Sequence, residues 1–411
     1  MAVSDWKFYY NPAGVSKGTE FTSTVLSASM SYGRTKYLDD YNAGTLTITI
    51  NNSSNFITNF SFNTLILLDT DKSDLTYGND PGNIYAVQEI TFADYPGNIG
   101  LSTATLLCVD AFGRAGRVQA NALSLPQATT GLQAIEFDFT EGGPLPSNVQ
   151  IDEFGTRSIA SAQTYTGTVL NQLNLLNATE RGMLLAGRNG PRQYITFYGR
   201  DQFGGSTQPV SFGRTASSSV IGYQQFNRIQ NGVSFINTAT ISPEGLADQT
   251  VSNASSVSTY GATFYSSSTV DYNTTQAQGN ASWIVNSFSD PTDLRFEIGF
   301  TDRAQNDTAY TLFMVLRDGI TFNLSYRLPA AGSDTIEQVY LEGYSVNMTP
   351  EQTDWILYFS PATYYLFFIL DDSTNGILGG DGITYNQPEI FYDENDWTYN
   401  DSYVEQGNRL G

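Results

Sequence analysis

The chain has 411 residues, enough for two or three domains that each bury a core, and its single cysteine excludes a disulfide framework. Its 19 Lys and Arg stand against 41 Asp and Glu, a net charge of -22, so it repels the phosphates of nucleic acid instead of gripping them. Histidine is absent, which removes the commonest general base, the commonest zinc ligand and any Ser-His-Asp triad.

The first residues, Met1-Ala2-Val3-Ser4-Asp5-Trp6-Lys7, show no basic segment followed by an apolar one. No stretch approaches the roughly 20 apolar residues that span a bilayer. The expectation is a soluble protein made in a cytoplasm, with no membrane insertion. Abundant Tyr (26) and Phe (25), with Thr, Ser, Asn and Gly, predict twisted strands joined by turns.

Thr45 to Ile50 alternates with period 2 and places Leu46, Ile48 and Ile50 on one buried face. Asn51-Asn52-Ser53-Ser54-Asn55 ends that strand, Phe56 to Leu68 continues as strand-like sequence, and Thr103 to Val109 is a further apolar run. Cys108 lies in that run and reads as a small buried hydrophobe. Past the loop at Gly142-Gly143-Pro144, the residues Val169, Leu170, Leu173 and Leu176 fall at helical spacing. Residues 182–197 read as two strands around an Asn-Gly turn, and 205–258 as irregular β and loop. Ala277, Ala281, Ile284, Val285 and Phe288 predict a second helix. Strand candidates follow at 294–300, 311–317, 320–327 and 336–346, the middle two joined by Asp318-Gly319, and Trp355 to Leu370 adds aromatic strands. The outline is a β domain at 1–125, a helix-plus-hairpin module with irregular β and loop at 126–258, a second β domain at 259–376 and an acidic aromatic tail at 377–411.

Three stretches, taken in chain order, form a recognisable pattern. Gly33-Arg34-Thr35-Lys36-Tyr37-Leu38-Asp39-Asp40-Tyr41-Asn42-Ala43-Gly44 leads into a threonine-rich strand ending in asparagine. Thr179-Glu180-Arg181-Gly182 through Gly190, with Ile195 to Arg200, is similar to a helix end, a glycine and a hairpin closing in an arginine. Val339-Tyr340-Leu341-Glu342-Gly343-Tyr344, with Met348-Thr349-Pro350 and Trp355 to Pro361-Ala362, is the third stretch, and the three in this order resemble phage minor tail proteins of the baseplate-hub type, whose last strands the third is similar to.

The resemblance implies a mainly β, β-rich α+β fold: two tail-tube-like β-barrel or sandwich domains with a helix-containing insertion module between them. It implies a structural virion protein at the distal end of the tail, assembled in the host cytoplasm. The implied homo-oligomer is a trimer, with a hexamer as alternative. Its implied partners are the distal tail, tail tube, tape-measure and fibre proteins, and viral DNA passes through without specific binding. A sixfold distal tail ring protein, or a receptor- or glycan-binding tail protein, is the alternative to a hub that joins the tail tube to distal fibres or a spike. Gly33, Arg34, Leu38, Asp39, Gly44, Glu180, Gly182, Gly190, Arg200, Gly343 and Pro361 are the positions that carry the pattern, with structural roles implied for them.

No catalytic residue, metal ligand or cofactor site is assigned. Asp371 to Gly376 begins like a calcium loop, but Gly382 stands where the bidentate glutamate belongs, so a turn is the better reading. Asp69 to Asp74 offers oxygens, yet Lys72 sits among them and the segment reads as an exposed loop. Nothing selects a pair of carboxylates for glycoside hydrolysis. The aromatics of 355–368 read as core and those of 392–403 as a partner contact.

Overall fold

A computed structural model describes residues 6–13, 16–70, 83–153, 159, 163–189, 192–199, 207–217, 220–230, 235–290, 295–303, 321–329 and 331–362. The chain opens with strands β1 (Trp6–Tyr10), β2 (Thr19–Glu20), β3 (Val25–Gly33), β4 (Thr45–Asn51), β5 (Leu65–Thr70), β6 (Asn83–Ala93) and β7 (Thr103–Val109), then helix α1 (Ala111–Ala115). Next come β8 (Leu123–Leu125), α2 (Thr130–Ile135), β9 (Val149–Glu153), β10 (Gln163–Tyr165), α3 (Val169–Glu180), β11 (Met183–Asn189) and β12 (Arg192–Tyr198). They are followed by β13 (Thr207–Gly213), β14 (Val220–Gly222), β15 (Gln225–Ile229), β16 (Thr238–Pro243), β17 (Gln249–Ser252), α4 (Ala254–Tyr260), β18 (Phe264–Thr269) and α5 (Thr274–Phe288). The last strands are β19 (Arg295–Arg303), β20 (Thr321–Tyr326), β21 (Thr335–Met348) and β22 (Gln352–Pro361).

Two compact units emerge, one of Met1–Gly232 with Pro291–Tyr364 and one of Val233–Asp290 with Tyr365–Gly411. In the first, 14 strands form one branched sheet. Its backbone of alternating residues follows the expected pattern: Leu46, Ile48 and Ile50 lie opposite Cys108, Leu106 and Ala104, and all six are buried. The same logic pairs Phe296, Ile298 and Phe300 with Phe359, Leu357 and Trp355. The branch is at β21. Its first half pairs with β20, its second half with β3, and its other edge with β22.

Strands from both ends of the chain share one sheet and one hydrophobic core, because β21 joins them. Trp6 illustrates it: its indole N–H donates to Thr353 Oγ1 at 3.0 Å and its ring lies 5.9 Å from that of Trp355. No closed barrel occurs among the described residues. Asp69 is also no part of an exposed loop; it lies buried in β5 and pairs with Lys17 at 3.0 Å.

The helix-plus-hairpin module is present as α3, capped by the Thr168 hydroxyl, followed by the β11–β12 hairpin on β9. The register runs to Asn189 opposite Arg192, and the Gly190 half of the expected Asn-Gly turn lies outside the described residues. The 205–258 segment, expected to be irregular, contains β13 to β17 and α4. The second helix is α5, but it belongs to the second unit, where it packs on β16 and β17. The Asp318-Gly319 turn, the calcium-like loop and residues 363–411 lie outside the described residues.

Candidate functional site

The first and third sequence patterns meet backbone to backbone. Gly33 at the end of β3 lies opposite Gly343 in β21, and the Arg34 N–H donates to the Glu342 carbonyl at 2.9 Å. A Cβ on Gly33 would stand 2.3 Å from that carbonyl oxygen, and Gly33 also has φ +76. A Cβ on Gly343 would stand 2.4 Å from the Tyr32 carbonyl oxygen and 2.6 Å from that of Arg34. Glycine is therefore required on both sides of the crossing. The register of β21 with β22 shifts at the same place, between Leu341 and Gly343.

The crossing sets the side chains of Arg34 and Glu342 together. The Arg34 guanidinium lies 2.7 Å from Glu342 Oε2, with the two side chains 4% and 0% exposed. It also lies 4.9 Å from the centre of the Tyr37 ring and 4.5 Å from that of Tyr41, so a cation is sandwiched by aromatic faces as well as paired. Its Nη1 donates to the Asp39 carbonyl at 3.4 Å. Burial pushes the Tyr41 hydroxyl well above the ordinary phenol range, partly opposed by Arg34, so it stays neutral.

Residues 34–44 form a loop that carries this arrangement to the insertion module. Within it, Thr35 Oγ1 donates to Asp39 Oδ2 at 3.1 Å and Lys36 lies 3.5 Å from Asp39. The Tyr37 hydroxyl donates to the Arg181 carbonyl at 3.1 Å. The Tyr41 N–H donates to Asn174 Oδ1, and Asn174 Nδ2 donates back to the Tyr41 carbonyl, each at 3.0 Å. Leu38 is half-buried.

The second pattern is thus tied to the first at the end of α3. Glu180 is buried and accepts from the Thr130 hydroxyl of α2. Arg181 ends the helix at φ 58, and Gly182 follows because a Cβ there would stand 2.0 Å from the Tyr198 carbonyl oxygen. Pro361 is buried near the end of β22, opposite Val339. Gly190 and Arg200 lie outside the described residues.

Asp110 was not singled out in the sequence, yet it anchors the far end of the loop. It caps α1, with Oδ1 accepting from the Gly113 N–H at 3.0 Å. Its Oδ2 is buried without a hydrogen-bond partner, and a Cβ on Gly44 would come within 2.4 Å of it. Burial pushes this carboxyl up to about 7 against an ordinary 3.8, although backbone N–H groups pull the other way. The buried hydroxyls of Tyr32, Tyr85 and Tyr344 sit in its field and are themselves raised by burial. Nearby, Gln193 Nε2 donates to the carbonyls of Ile84 (2.9 Å) and Val109 (3.1 Å), holding the module's hairpin to the main sheet.

A pH dependence follows. Between pH 3.8 and about 7 the unfolded chain has ionised Asp110 while the folded chain keeps it protonated, so stability falls as pH rises through that window. Asp110→Asn preserves the cap acceptor without the charge. We expect it to raise the melting temperature at pH 8, by a few kcal/mol of stability at most, with the gain vanishing toward pH 4. An equal gain at both pH values contradicts the assignment.

Among the described residues no group of three or more Cys, Asp or Glu is placed to hold a metal ion. Cys108 is buried and burial raises its thiol far above the reactive range. What the junction does chemically is fix geometry: it neutralises buried charge inside a crossing of strands and locks three distant segments together. Glu342 stands inside the third pattern with no role of its own and Asp110 outside all three, because the partners that tie them to the junction, Arg34 and Gly44, are remote in the chain.

The sequence matches no protein-family model and no curated protein. Solved structures do share the fold. The tail protein from Neisseria meningitidis MC58 aligns with a TM-score of 0.56 at 12% identity, covering 88% of this chain and 98% of that one. The 43 kDa tail protein of prophage MuSo2 from Shewanella oneidensis aligns with a TM-score of 0.53 at 10% identity, again over 88% and 98%. Over the 88% that aligns, this chain shares the fold of these tail proteins.

Proposed function

We propose that this chain is a structural protein of a phage tail, and within the tail a hub at the distal end that joins the tube to fibres or a spike and forms part of the DNA exit channel. The observation that supports it most is the fold shared with two tail proteins along 88% of this chain. Two features favour the hub. The branch at β21 gives one subunit two sets of strands, and three subunits with two sets each suit a sixfold tube. A net charge of -22 suits a channel that DNA traverses without binding. In this reading the chain forms a homotrimer, contacts the distal tail, tail tube, tape-measure and fibre proteins, and has no catalytic step.

The test is a cryo-electron microscopy reconstruction of the tail tip with the copies of this chain counted around the axis. Three copies with β21 near the tube are expected. Six copies move the protein to a distal ring, and absence from the axis overturns both.

A further inference from the structure

The hairpin formed by the outer part of β6 and the start of β7 has a composition unlike the rest of this acidic surface. Phe92, Tyr95, Ile99 and Leu101 are each more than half exposed, and Phe62, 69% exposed, lies in a turn whose neighbours Asn63 and Thr64 bond to Val87 at the hairpin's base. Between Gln88 and Thr103 the only charged residues are Glu89 and Asp94. β5 pairs with β6 only as far as Ala86, so among the described residues no strand covers the outer edge of Gln88–Ala93.

This is an ordered projection. Asn98 N–H donates to the Tyr95 carbonyl at 2.9 Å, Leu101 N–H to Asn98 and Ser102 N–H to Ile99 at 3.0 Å each, and Tyr95 N–H to Ser102 Oγ at 3.2 Å. Its base is held by Asn52 N–H on the Ser102 carbonyl at 2.9 Å. The tip therefore loses little freedom when it docks.

We propose that this hairpin is the contact through which one copy of the chain grips a second copy. Two chains of charge -22 repel over most of their surfaces, so they can meet closely only where charge is sparse. The exposed apolar side chains amount to on the order of 600 Å², against about 800 Å² per partner in a standard stable interface. The unpaired backbone edge of β6 supplies hydrogen bonds that such a contact uses. This inference deepens the homotrimeric hub reading above and rests on it.

Sedimentation equilibrium of the full chain from about 1 to about 200 µM tests it. The wild type is expected to self-associate, and more strongly as salt screens the repulsion between the acidic chains. The triple variant Tyr95→Ser, Ile99→Ser, Leu101→Ser, whose side chains are solvent-facing, is expected to keep its melting temperature and weaken association by at least about tenfold. A photoreactive benzoylphenylalanine at position 99 is expected to cross-link two copies, with the receiving peptide read by mass spectrometry. A wild type that stays monomeric throughout, a triple variant that associates like it, or cross-links confined to one chain each overturn the proposal. The copy count in the tail decides the hub reading separately, so a ring without this contact distinguishes the two failures.

Discussion

Arg34→Ala is expected to lower the stability of the folded protein by roughly 3–5 kcal/mol, because it leaves the Glu342 carboxylate buried without its charge partner. The two side chains are 4% and 0% exposed, so water does not replace what is lost. Glu342→Ala is expected to cost a similar amount, since the buried guanidinium then loses the carboxylate that lies 2.7 Å from it. The informative comparison is the double change Arg34→Met with Glu342→Leu. Removing both charges abolishes the desolvation cost together with the attraction, so the double variant is expected to be more stable than either single one. Urea unfolding, with midpoint and slope followed for all four proteins, reads this directly. Additive losses in the double variant contradict a coupled buried pair.

Gly33→Ala and Gly343→Ala are expected to be comparably severe, at about 3 kcal/mol or more. Each new Cβ meets a carbonyl oxygen at 2.3 or 2.4 Å, and the obstructing atoms are backbone of the opposing strand, which cannot turn aside. At Gly33 the φ of +76 adds the cost of a left-handed backbone for a residue with a side chain. Gly142→Ala is the control. Gly142 has φ +86 but nothing within 4 Å of its would-be Cβ, so only the backbone term of roughly 1 kcal/mol applies. A loss at Gly33 no greater than at Gly142 means that the strands do not cross as closely as described.

Much of the fold was legible because its signals are local. Leu46, Ile48 and Ile50 alternate within six residues, and Ala277 to Phe288 repeats at helical spacing, so strand β4 and helix α5 could be read without neighbours. The three-stranded sheet of the second unit was not legible for a related reason. Its exposed face bears Thr240 and Thr250, whose hydroxyls lie 2.8 Å apart, and Ser266 beside them, so hydroxyl-bearing residues blur the apolar alternation that normally announces strands. The division into domains depended on which strands share a sheet, and that is decided by register between remote segments. At the junction, the glycines and Arg34 were visible as a pattern, whereas the reason for the pattern was not. Arg34 reads as an ordinary strand-end residue until Glu342, 308 positions later, is placed beside it.

That separation has a bearing on how the molecule is made. Because β3 receives its neighbour from β21, a ribosome must have delivered most of the polypeptide before the sheet can be completed. Until then the nascent chain holds β3 with a bare edge and an unshielded apolar face, including Met30 and Ala28. Closing a loop of some 300 residues costs only slowly growing entropy, so the delay burdens the folding rate far more than the final stability. The strand that unites the sheet is therefore also its latch. It arrives late, and fixes the N-terminal strands only after the insertion module and the Val233–Asp290 part of the second unit have already been synthesised.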